Sequence, residues 1–160
     1  MSSLQSQVIA KVESCISHAN QRLQKRFAMP TVSFSQGGKI AGSARLQGWE
    51  VRFNPVLLKE NPQAFLDEVV PHEVAHLITF KLFGRVRPHG KEWQTIMTQV
   101  FGIPARTTHS FDVSSVQGKT FSYQCQCSQH QLTVRRHNKV ARGQVSYHCR
   151  QCRQPLTLCA

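Results

Sequence analysis

The sequence predicts an α+β fold followed by a small metal-stabilised unit, and three observations lead to this class. Apolar residues recur at helical spacing near the N-terminus and again between residues 62 and 101. Between these stretches, residues 31–54 hold three short runs in which apolar and polar residues alternate, as in half-buried β-strands. The last part of the chain carries two closely spaced cysteine pairs, a pattern typical of zinc sites.

The N-terminal stretch predicts an amphipathic helix, because Val8, Ile9, Val12 and Ile16 fall on one side of it. The same stretch has neither a basic segment nor a long apolar run, so we expect no signal peptide and no membrane anchor. We therefore expect a cytoplasmic protein, whose thiols stay reduced. In a reducing compartment, six cysteines indicate metal binding before disulfides.

Three short strands are predicted next, in the segments TVSFS, GSARL and EVRFN. Glycine-containing segments separate these strands, so their simplest arrangement is an antiparallel meander. The Asn54-Pro55 pair ends the last of them.

A long helical segment follows, with Asn61 as its N-cap and Pro62 at its first helical position. One apolar stripe runs through this segment and stops at Gly84; it contains Leu66, Val70, Val74, Leu77 and Ile78. Pro71 lies inside the pattern and has no N–H for the carbonyl of Asp67. We therefore expect either a kink at this proline or two helices that meet end to end.

A further helix is predicted in KEWQTIMTQVF, after a turn at RPHG, and Gly102 and Pro104 close it. Residues 105–120 show no clear periodicity and resemble a linker. The sequence therefore predicts a core over residues 1–112, a linker over residues 113–120 and a zinc ribbon over residues 121–160.

The stretch VVPHEVAHLITF places His72 and His76 four residues apart, with Glu73 beside the first histidine. On a helix, residues four apart share a face, so both imidazoles can reach one zinc ion. Glu73 is rotated by roughly 100° from His72, too far to be a ligand, but it can take a proton from a water molecule and pass it to a leaving amine. A sequence of this composition contains about 0.015 chance matches to H-E-x-x-H. The alternative is a pair of half-exposed histidines on a polar helix face.

The third zinc ligand is less determined by the pattern. No glycine follows His76 by three residues and no histidine by six, so the longer H-E-x-x-H-x-x-G-x-x-H motif is absent. The best candidate is His89 in RPHGKEW, because the turn after Gly84 allows the next helix to lean back over the zinc. Glu92 is the alternative ligand and His109 a weaker one, and a histidine in a turn can also simply be solvated.

The C-terminal cysteines predict a second, structural zinc site. They form the pairs Cys125/Cys127 and Cys149/Cys152, on either side of two strand-like segments, QLTVRRH and GQVSYH. Two cysteine pairs joined through a hairpin are the arrangement of a zinc ribbon. His130 is a possible substitute for one of these thiolates, and Cys159 is a more remote one. Disulfides and buried, inert thiols are the alternatives.

The net charge of +12 is concentrated in the same region. Residues 117–160 carry seven Lys and Arg and no Asp or Glu. Such a segment predicts binding to nucleic acid, and we expect Arg135, Arg136, Lys139 and Arg142 to contact it. Rings nearby could stack on bases of single-stranded or irregular DNA: Phe121, Tyr123, His137 and Tyr147. The alternative is that these rings form the ribbon core beneath a solvated, charged surface.

Several of these stretches together resemble the bacterial SprT-like proteins, and the similarity extends from about residue 30 to the end. The stretches are NPVLL, VVPHEVAHLITF, FGRVRPHGKEW, GIPARTTH and CQCSQHQLTVRRHNKVARGQVSYHCRQC. This family is related to the eukaryotic Spartan proteases, which degrade proteins crosslinked to DNA. The resemblance implies a zincin core in which helices pack on a small antiparallel sheet. It also implies that His72, His76 and His89 bind zinc and that Glu73 is the catalytic acid/base.

The leading functional hypothesis is therefore a zinc-dependent metallopeptidase of the SprT-like type that acts on DNA-associated or DNA-crosslinked proteins. It would hold one catalytic and one structural zinc ion. The alternative is a non-catalytic, zinc-containing DNA-binding or regulatory protein in which both zinc ions are structural. Glu73 favours the peptidase, because a purely structural site has no use for a carboxylate at that position.

Overall fold

The predicted N-terminal helix forms as α1 (Ser3–Leu23) in a computed structural model that describes residues 1–160. A capping box begins the helix: the Ser2 hydroxyl accepts the Gln5 N–H, and the Gln5 side chain accepts the Ser2 N–H. The predicted apolar face is buried at Val8, Val12 and Ile16, whereas Ile9 is half-buried. The chain as a whole divides into two units, Met1–Val116 and Gln117–Ala160.

The first unit contains a three-stranded sheet whose topology differs from the predicted meander. Its strands are β1 (Thr31–Ser33), β2 (Gly42–Arg45) and β3 (Glu50–Phe53). Their order is β1-β3-β2, with β1 parallel and β2 antiparallel to β3. The Asn54 amide donates to the carbonyls of Gly38 and Ile40, which holds the β1–β2 connection at the end of β3. Strand β2 pairs on the side of β3 opposite β1 and forms an edge of the sheet.

Asn54 also begins a helix that the sequence reasoning missed. The side-chain oxygen of Asn54 accepts the N–H groups of Val56 and Leu57, and Pro55 occupies the first helical position. These are favourable N-terminal residues, and the helix α2 (Pro55–Glu60) follows directly. The Asn-Pro pair thus ends a strand, as predicted, and also starts a helix.

The predicted long helical segment is one run with three local geometries. It begins as α3 (Pro62–Ala64), continues as a π-helical stretch (Phe65–Val69) and ends as α4 (Val70–Phe83), with Gly84 at its C-cap. Pro71 follows directly on the π-helical stretch, and its missing N–H removes one hydrogen bond from the continuous run. The expected junction at Pro71 is thus a π-helical segment joined end to end with an α-helix. Asn61 precedes the run, but its side chain bonds to the Leu57 carbonyl and makes no cap.

Helix α4 carries most of the predicted apolar stripe into the core. Val70, Val74, Leu77 and Ile78 are fully buried, and Leu66 is half-buried against the same core. After α4, the chain turns and forms α5 (Lys91–Thr95), which continues as a π-helical stretch (Ile96–Val100).

The segment predicted to be a linker is mostly part of the two units. A short 3₁₀ helix (Ser114–Val116) ends the first unit, and Phe111, Val113 and Val116 pack against its core. These apolar residues are irregularly spaced, so no periodic pattern reveals that they are partly buried. The second unit begins at Gln117, and its first strand begins at Thr120. Residues 113–120 are therefore divided between the two units, and few of them lie outside a helix, a strand or the core.

The second unit is built on a small antiparallel sheet. Its strands are β4 (Thr120–Gln124), β5 (Gln129–Thr133) and β6 (Thr157–Leu158), in the order β5-β4-β6. Only part of QLTVRRH is a strand, because the Thr133 hydroxyl accepts the Arg136 N–H and starts helix α6 (Val134–Ala141). The segment GQVSYH forms no strand beyond one isolated bridge between His148 and Pro155. The predicted hairpin of two long strands is therefore wrong in its second half.

Helices packed with small sheets confirm the predicted α+β class. None of the helices combines the length and the apolar character that crossing a bilayer requires.

Candidate metal centres

Three histidines of the first unit converge on one point. The Nε2 atoms of His72 and His76 are 3.1 Å apart, those of His76 and His89 are 3.2 Å apart, and those of His89 and His72 are 3.0 Å apart. His72 and His76 project from one face of α4, and His89 comes from the turn before α5. His89 has a φ of 60°, a left-handed backbone conformation that is uncommon for a residue with a side chain. The local strain is consistent with a position set by function.

Hydrogen bonds among the imidazoles cannot account for this arrangement. Each neutral Nε2 is either a donor or an acceptor, so at least one of the three close pairs must match two donors or two acceptors. A cation at the centre would satisfy all three lone pairs together. In addition, two nitrogens bound tetrahedrally to zinc at 2.0–2.1 Å lie about 3.3 Å apart, close to the three observed separations. The residues therefore fit a zinc ion.

The protonation of the three histidines is also suited to a metal. Burial lowers the pKa of His72 to about 4, and the neighbouring His89 contributes to that lowering. Burial lowers the pKa of His76 to about 3, with additional effects from His72 and His89. The pKa of His89 is lowered by burial as well. All three rings are therefore neutral at pH 7 and offer lone pairs.

Trp93 forms the floor of this histidine cluster. Its ring centroid lies 4.7 Å from those of His72 and His89 and 5.5 Å from that of His76. The indole is only 1% exposed, and its N–H donates to the His72 carbonyl over 3.3 Å. Packing against one rigid ring fixes the orientations of all three imidazoles. Sequence reasoning assigned Trp93 no role, although its position four residues after His89 could have suggested one.

Glu73 is a buried carboxylate without a partner. It is 7% exposed and forms neither a hydrogen bond nor a salt bridge with any side chain or backbone group. Burial raises the pKa of Glu73 to about 8. A cation held by the adjacent imidazoles would favour the charged carboxylate and lower that pKa. An unpaired, buried acid of this kind is typical of a functional group.

The histidines and Glu73 line one cavity of about 720 Å³. Residues 41–44, which include most of edge strand β2, form part of its wall. Gly42 lies directly against the acid, since a Cβ atom at this position would be 2.9 Å from Cγ of Glu73. Any larger residue at position 42 would thus displace Glu73. The sequence pattern contained no signal for this role of a glycine in a strand.

The two alternative third ligands lie outside the cluster. Glu92 is half-buried and is not among the groups that converge with His72 and His76. His109 lines the same cavity, but its Nδ1 accepts the Phe111 N–H over 3.3 Å. The structure therefore brings together the predicted set of His72, His76 and His89.

The second unit brings the four predicted cysteines together. The Sγ atoms of Cys125, Cys127, Cys149 and Cys152 all lie within 4.8 Å of one another. The Cys125–Cys127 separation is 3.5 Å and the Cys127–Cys149 separation is 3.6 Å. Thiolates bound tetrahedrally to zinc at about 2.3 Å would lie about 3.8 Å apart. The cysteines form no disulfide, so this donor set fits a structural zinc ion.

His130 lies beside this cysteine cluster. Its Nε2 is 3.3 Å from the sulfur of Cys125 and 3.2 Å from the hydroxyl oxygen of Ser128. Desolvation works to raise the pKa of the Cys125 thiol, but hydrogen bonds with His130, Cys127 and Ser128 outweigh it and lower that pKa to about 5. His130 thus contacts a thiolate and is not one of the four clustered donors, and Cys159 is outside the cluster too.

The four cations predicted to contact nucleic acid lie on or next to one short helix. Arg135, Arg136 and Lys139 belong to α6, Arg142 is its C-cap, and all four side chains are exposed. None of them forms a salt bridge. They therefore form an uncompensated basic surface.

Most of the rings near this surface are packing residues. His137 stacks on Phe121 with centroids 3.6 Å apart, and its Nδ1 is 2.9 Å from the Tyr123 hydroxyl. Tyr123 is fully buried in the second unit. Tyr147 is half-buried, with the Arg136 guanidinium 5.6 Å from its ring centroid. These contacts support the alternative interpretation, that the rings stabilise the unit beneath a charged surface.

Comparison with known proteins connects both units to one family. Residues 12–109 match the SprT-like family, and residues 119–159 match the SprT-like zinc ribbon domain. The matched ranges contain the histidine cluster and the cysteine cluster, respectively. No solved structure matches the chain.

Curated relatives match most of the chain. Protein SprT of Vibrio parahaemolyticus is 58% identical over 142 residues, which are 89% of this chain and 86% of the relative. Protein SprT of Pectobacterium carotovorum is 57% identical over 88% of this chain and 83% of the relative. Protein SprT of Yersinia pestis is 56% identical over 91% of this chain and 88% of the relative. With the family match over most of the first unit and this identity over both units, the chain belongs to the SprT-like family and ends in an SprT-like zinc ribbon.

Proposed function

We propose that this protein is a zinc-dependent peptidase that acts on proteins associated with or crosslinked to DNA. One observation carries the proposal: three convergent, neutral imidazoles share a cavity with a buried carboxylate that has no partner. A purely structural zinc site is closed by four protein ligands and needs neither a cavity nor a free acid. The first unit supplies three such ligands together with both of these features.

The zinc ion and the protein side chains would have different roles in the reaction. Zinc held by three imidazoles acts as a Lewis acid and brings the pKa of a water molecule to about 7. His72, His76 and His89 would hold the ion, and Trp93 would keep their rings in place. A carboxylate oxygen of Glu73 would accept the proton of the attacking water and then deliver it to the nitrogen of the scissile peptide bond. Its low exposure keeps bulk water from competing for that proton.

Edge strand β2 offers a place for the substrate. It pairs with β3 along one side only, and residues 41–44 line the cavity beside Glu73. The backbone groups on the free side of an edge strand can pair with an extended peptide. Gly42 leaves the space that Glu73 occupies next to this strand. An extended protein segment bound along β2 would therefore run past the carboxylate.

The zinc ribbon would bring the peptidase to nucleic acid. Helix α6 and its C-cap present four exposed cations without acidic neighbours in the second unit, and these suit the phosphates of single-stranded or irregular DNA. The proposed site of action is the cytoplasm, where reduced cysteines can hold zinc. The proposed cofactors are one catalytic and one structural zinc ion.

The test compares three variants with the parent protein for cleavage of a DNA-bound protein, with and without single-stranded DNA, and for zinc content. Glu73→Gln keeps the size of the side chain and all three imidazoles, so its zinc content should equal that of the parent. Its cleavage should fall by about 10²–10⁴-fold, because general acid–base catalysis is lost. His76→Ala should lose one zinc ion and the activity together. Glu68→Gln is the matched control, since Glu68 lines the same cavity but pairs with Arg106, and it should cleave normally.

Two outcomes would contradict the proposal. If the Glu73→Gln variant cleaved as fast as the parent, Glu73 would not be the acid/base. If the parent held zinc in both units and cleaved nothing under any DNA condition, the non-catalytic, DNA-binding alternative would replace the peptidase.

A further inference from the structure

His109 is a fourth histidine of the cavity, and the zinc cluster does not use it. It lies in the irregular segment after the π-helical stretch Ile96–Val100 and lines the cavity that holds His72 and Glu73. The ring is half-buried. His109 is therefore near the cluster without belonging to it.

A backbone hydrogen bond determines where the proton of His109 lies. The Phe111 N–H donates to Nδ1 of His109 over 3.3 Å, so Nδ1 is an acceptor and carries no proton. In a neutral imidazole with an unprotonated Nδ1, the proton is on Nε2. Such an Nε2 has no lone pair for a metal, but it can donate one hydrogen bond. The geometry therefore makes His109 a donor and disfavours the alternative in which it is the third zinc ligand.

Stacking holds this donor in place. The His109 ring lies on the Phe111 ring, with centroids 4.6 Å apart and planes inclined by 26°. Phe111 in turn stacks on Phe65 at 6.4 Å, and Phe65 is fully buried in the core of the unit. A ring fixed by stacking and by a backbone hydrogen bond is preorganised, which is the property that makes a donor effective in a transition state.

The other polar groups of the cavity wall are less suited to that role. The Arg106 guanidinium pairs with Glu68 over 3.3 Å, and the Ser43 hydroxyl donates to Gln36 over 2.8 Å. The remaining donors are Lys39, Thr107 and Thr108, whose exposed side chains form no hydrogen bond that would fix them. By contrast, Nε2 of His109 has no partner in the protein and belongs to a ring that is held in place.

We propose that His109 donates a hydrogen bond from Nε2 to the carbonyl oxygen of the scissile peptide and stabilises the negative charge that develops there. This inference rests on the proposed peptidase function. When the water oxygen bonds to the carbonyl carbon, the π electron pair moves to the carbonyl oxygen and Glu73 takes the proton of the water. When the C–N bond breaks, the electron pair re-forms the carbonyl and the leaving nitrogen takes the proton from Glu73. His109 keeps its proton throughout.

The principal test is His109→Phe, which preserves a flat ring for stacking on Phe111 and removes the donor. Its kcat should fall by about 10²–10³-fold, the usual effect of losing one donor to the oxyanion. Its KM, zinc content and thermal unfolding should stay close to those of the parent. His109→Gln, which retains an N–H donor, should recover part of the loss. Ser110→Ala, the matched control from the same segment at an exposed residue that does not line the cavity, should leave kcat unchanged.

Several results would overturn the inference. A His109→Phe variant with the kcat of the parent would remove the donor role, and one that lost a zinc ion would make His109 a ligand. An equal loss of kcat in the Ser110→Ala variant would assign the effect to the segment and not to Nε2.

Two measurements test His109 without turnover and separate this inference from the proposed function. Nitrogen-15 NMR of the zinc-loaded protein should show His109 protonated on Nε2 only, and protonation on Nδ1 would overturn the inference. A peptide phosphinate, whose anionic oxygen replaces the developing oxyanion, should bind the His109→Phe variant about 10²-fold more weakly than the parent. The corresponding peptide, which has an ordinary peptide bond in place of the phosphinate, should bind the parent protein and the His109→Phe variant equally. If neither protein cleaves peptide while both measurements give these results, the peptidase assignment fails and the assignment of His109 as a donor stands. If both proteins bind the phosphinate equally, the assignment of His109 as a donor is wrong.

Discussion

The two candidate metal centres of this protein differ in what surrounds them. The histidine cluster lies on a scaffold with an extensive buried core, which includes α1, α4 and strand β3. The second unit buries very few side chains, chiefly Tyr123, Leu132 and Cys149. The first unit can therefore fold around its site before a metal binds, whereas the second cannot build a sufficient core without one. This difference supports the proposal that the fold holds the metal at the histidine cluster, whereas a metal holds the fold together at the cysteine cluster.

Metal removal has the largest expected effect, because the two units should respond to it differently. A structural zinc ion contributes about 10–16 kcal/mol of binding free energy, more than a unit of this size gains from its own core. With a strong chelator, backbone amides of β4 and β5 should exchange with solvent freely, while those of α1 and α4 should remain protected. Hydrogen exchange followed by mass spectrometry measures both regions in one sample.

The control for that experiment is the protein with zinc restored, in which β4 and β5 should regain protection. Persistent protection of the second unit after complete zinc removal would show that its few apolar contacts suffice. The comparison between the two centres would then be wrong.

The units also differ in charge. Removing the cations of helix α6 and its C-cap should affect nucleic-acid binding, although less than metal removal affects the fold of the second unit. Replacing Arg135, Arg136, Lys139 and Arg142 by Ala should weaken binding to single-stranded DNA and reduce the slope of log K against log salt by up to about 3. The physical reason is that each phosphate contact releases counterions. Fluorescence anisotropy with a labelled oligonucleotide, at several salt concentrations, gives both quantities.

A matched control removes the same charge from the first unit, through alanine at Lys25, Lys59, Arg85 and Lys91. These four exposed cations lie outside the ribbon, so the slope should change little. Equal slopes for both quadruple variants would mean that net charge and not helix α6 governs binding.

The smallest predicted effect concerns Trp93, on which the three histidines of the cluster pack. Trp93→Phe removes the N–H bond to the His72 carbonyl and part of the surface on which the three imidazoles pack. Zinc affinity of the first unit should fall by roughly 10-fold, the lower end of the usual effect of groups that orient metal ligands. Competition with a chromophoric chelator measures this affinity. Trp49→Phe, which changes a tryptophan that stacks on Phe27 and not on the histidines, should leave it unchanged.

Sequence reasoning succeeded where a local pattern determines structure. The four-residue spacing of His72 and His76 on a helix and the cysteine pairs predicted which donors converge, and the apolar stripe predicted the buried face of α4. It failed where tertiary contacts decide. The parallel pairing of β1 with β3 joins strands that are not consecutive in the chain, and Phe111 packs on the ring of Phe65, which is distant in sequence.

One feature of the structure was beyond any local pattern, and another was missed because two local patterns compete. The need for glycine at position 42 arises from the approach of Glu73, which is distant in sequence. The end of β5 at Thr133 was missed because strand propensity and an N-cap compete within QLTVRRH, and the hydroxyl of Thr133 decides in favour of a helix.

The most direct test of the central claim is a crystal structure of the zinc-loaded protein with anomalous diffraction at the zinc edge. We expect two zinc ions per chain. One should be bound by the sulfur atoms of Cys125, Cys127, Cys149 and Cys152 and should have no open position. The other should be bound by His72, His76 and His89, with a solvent molecule as the fourth ligand and Glu73 within hydrogen-bond distance of that molecule. A fourth protein ligand on the histidine-bound ion would contradict the proposed function, because that site would then be closed and could not support catalysis.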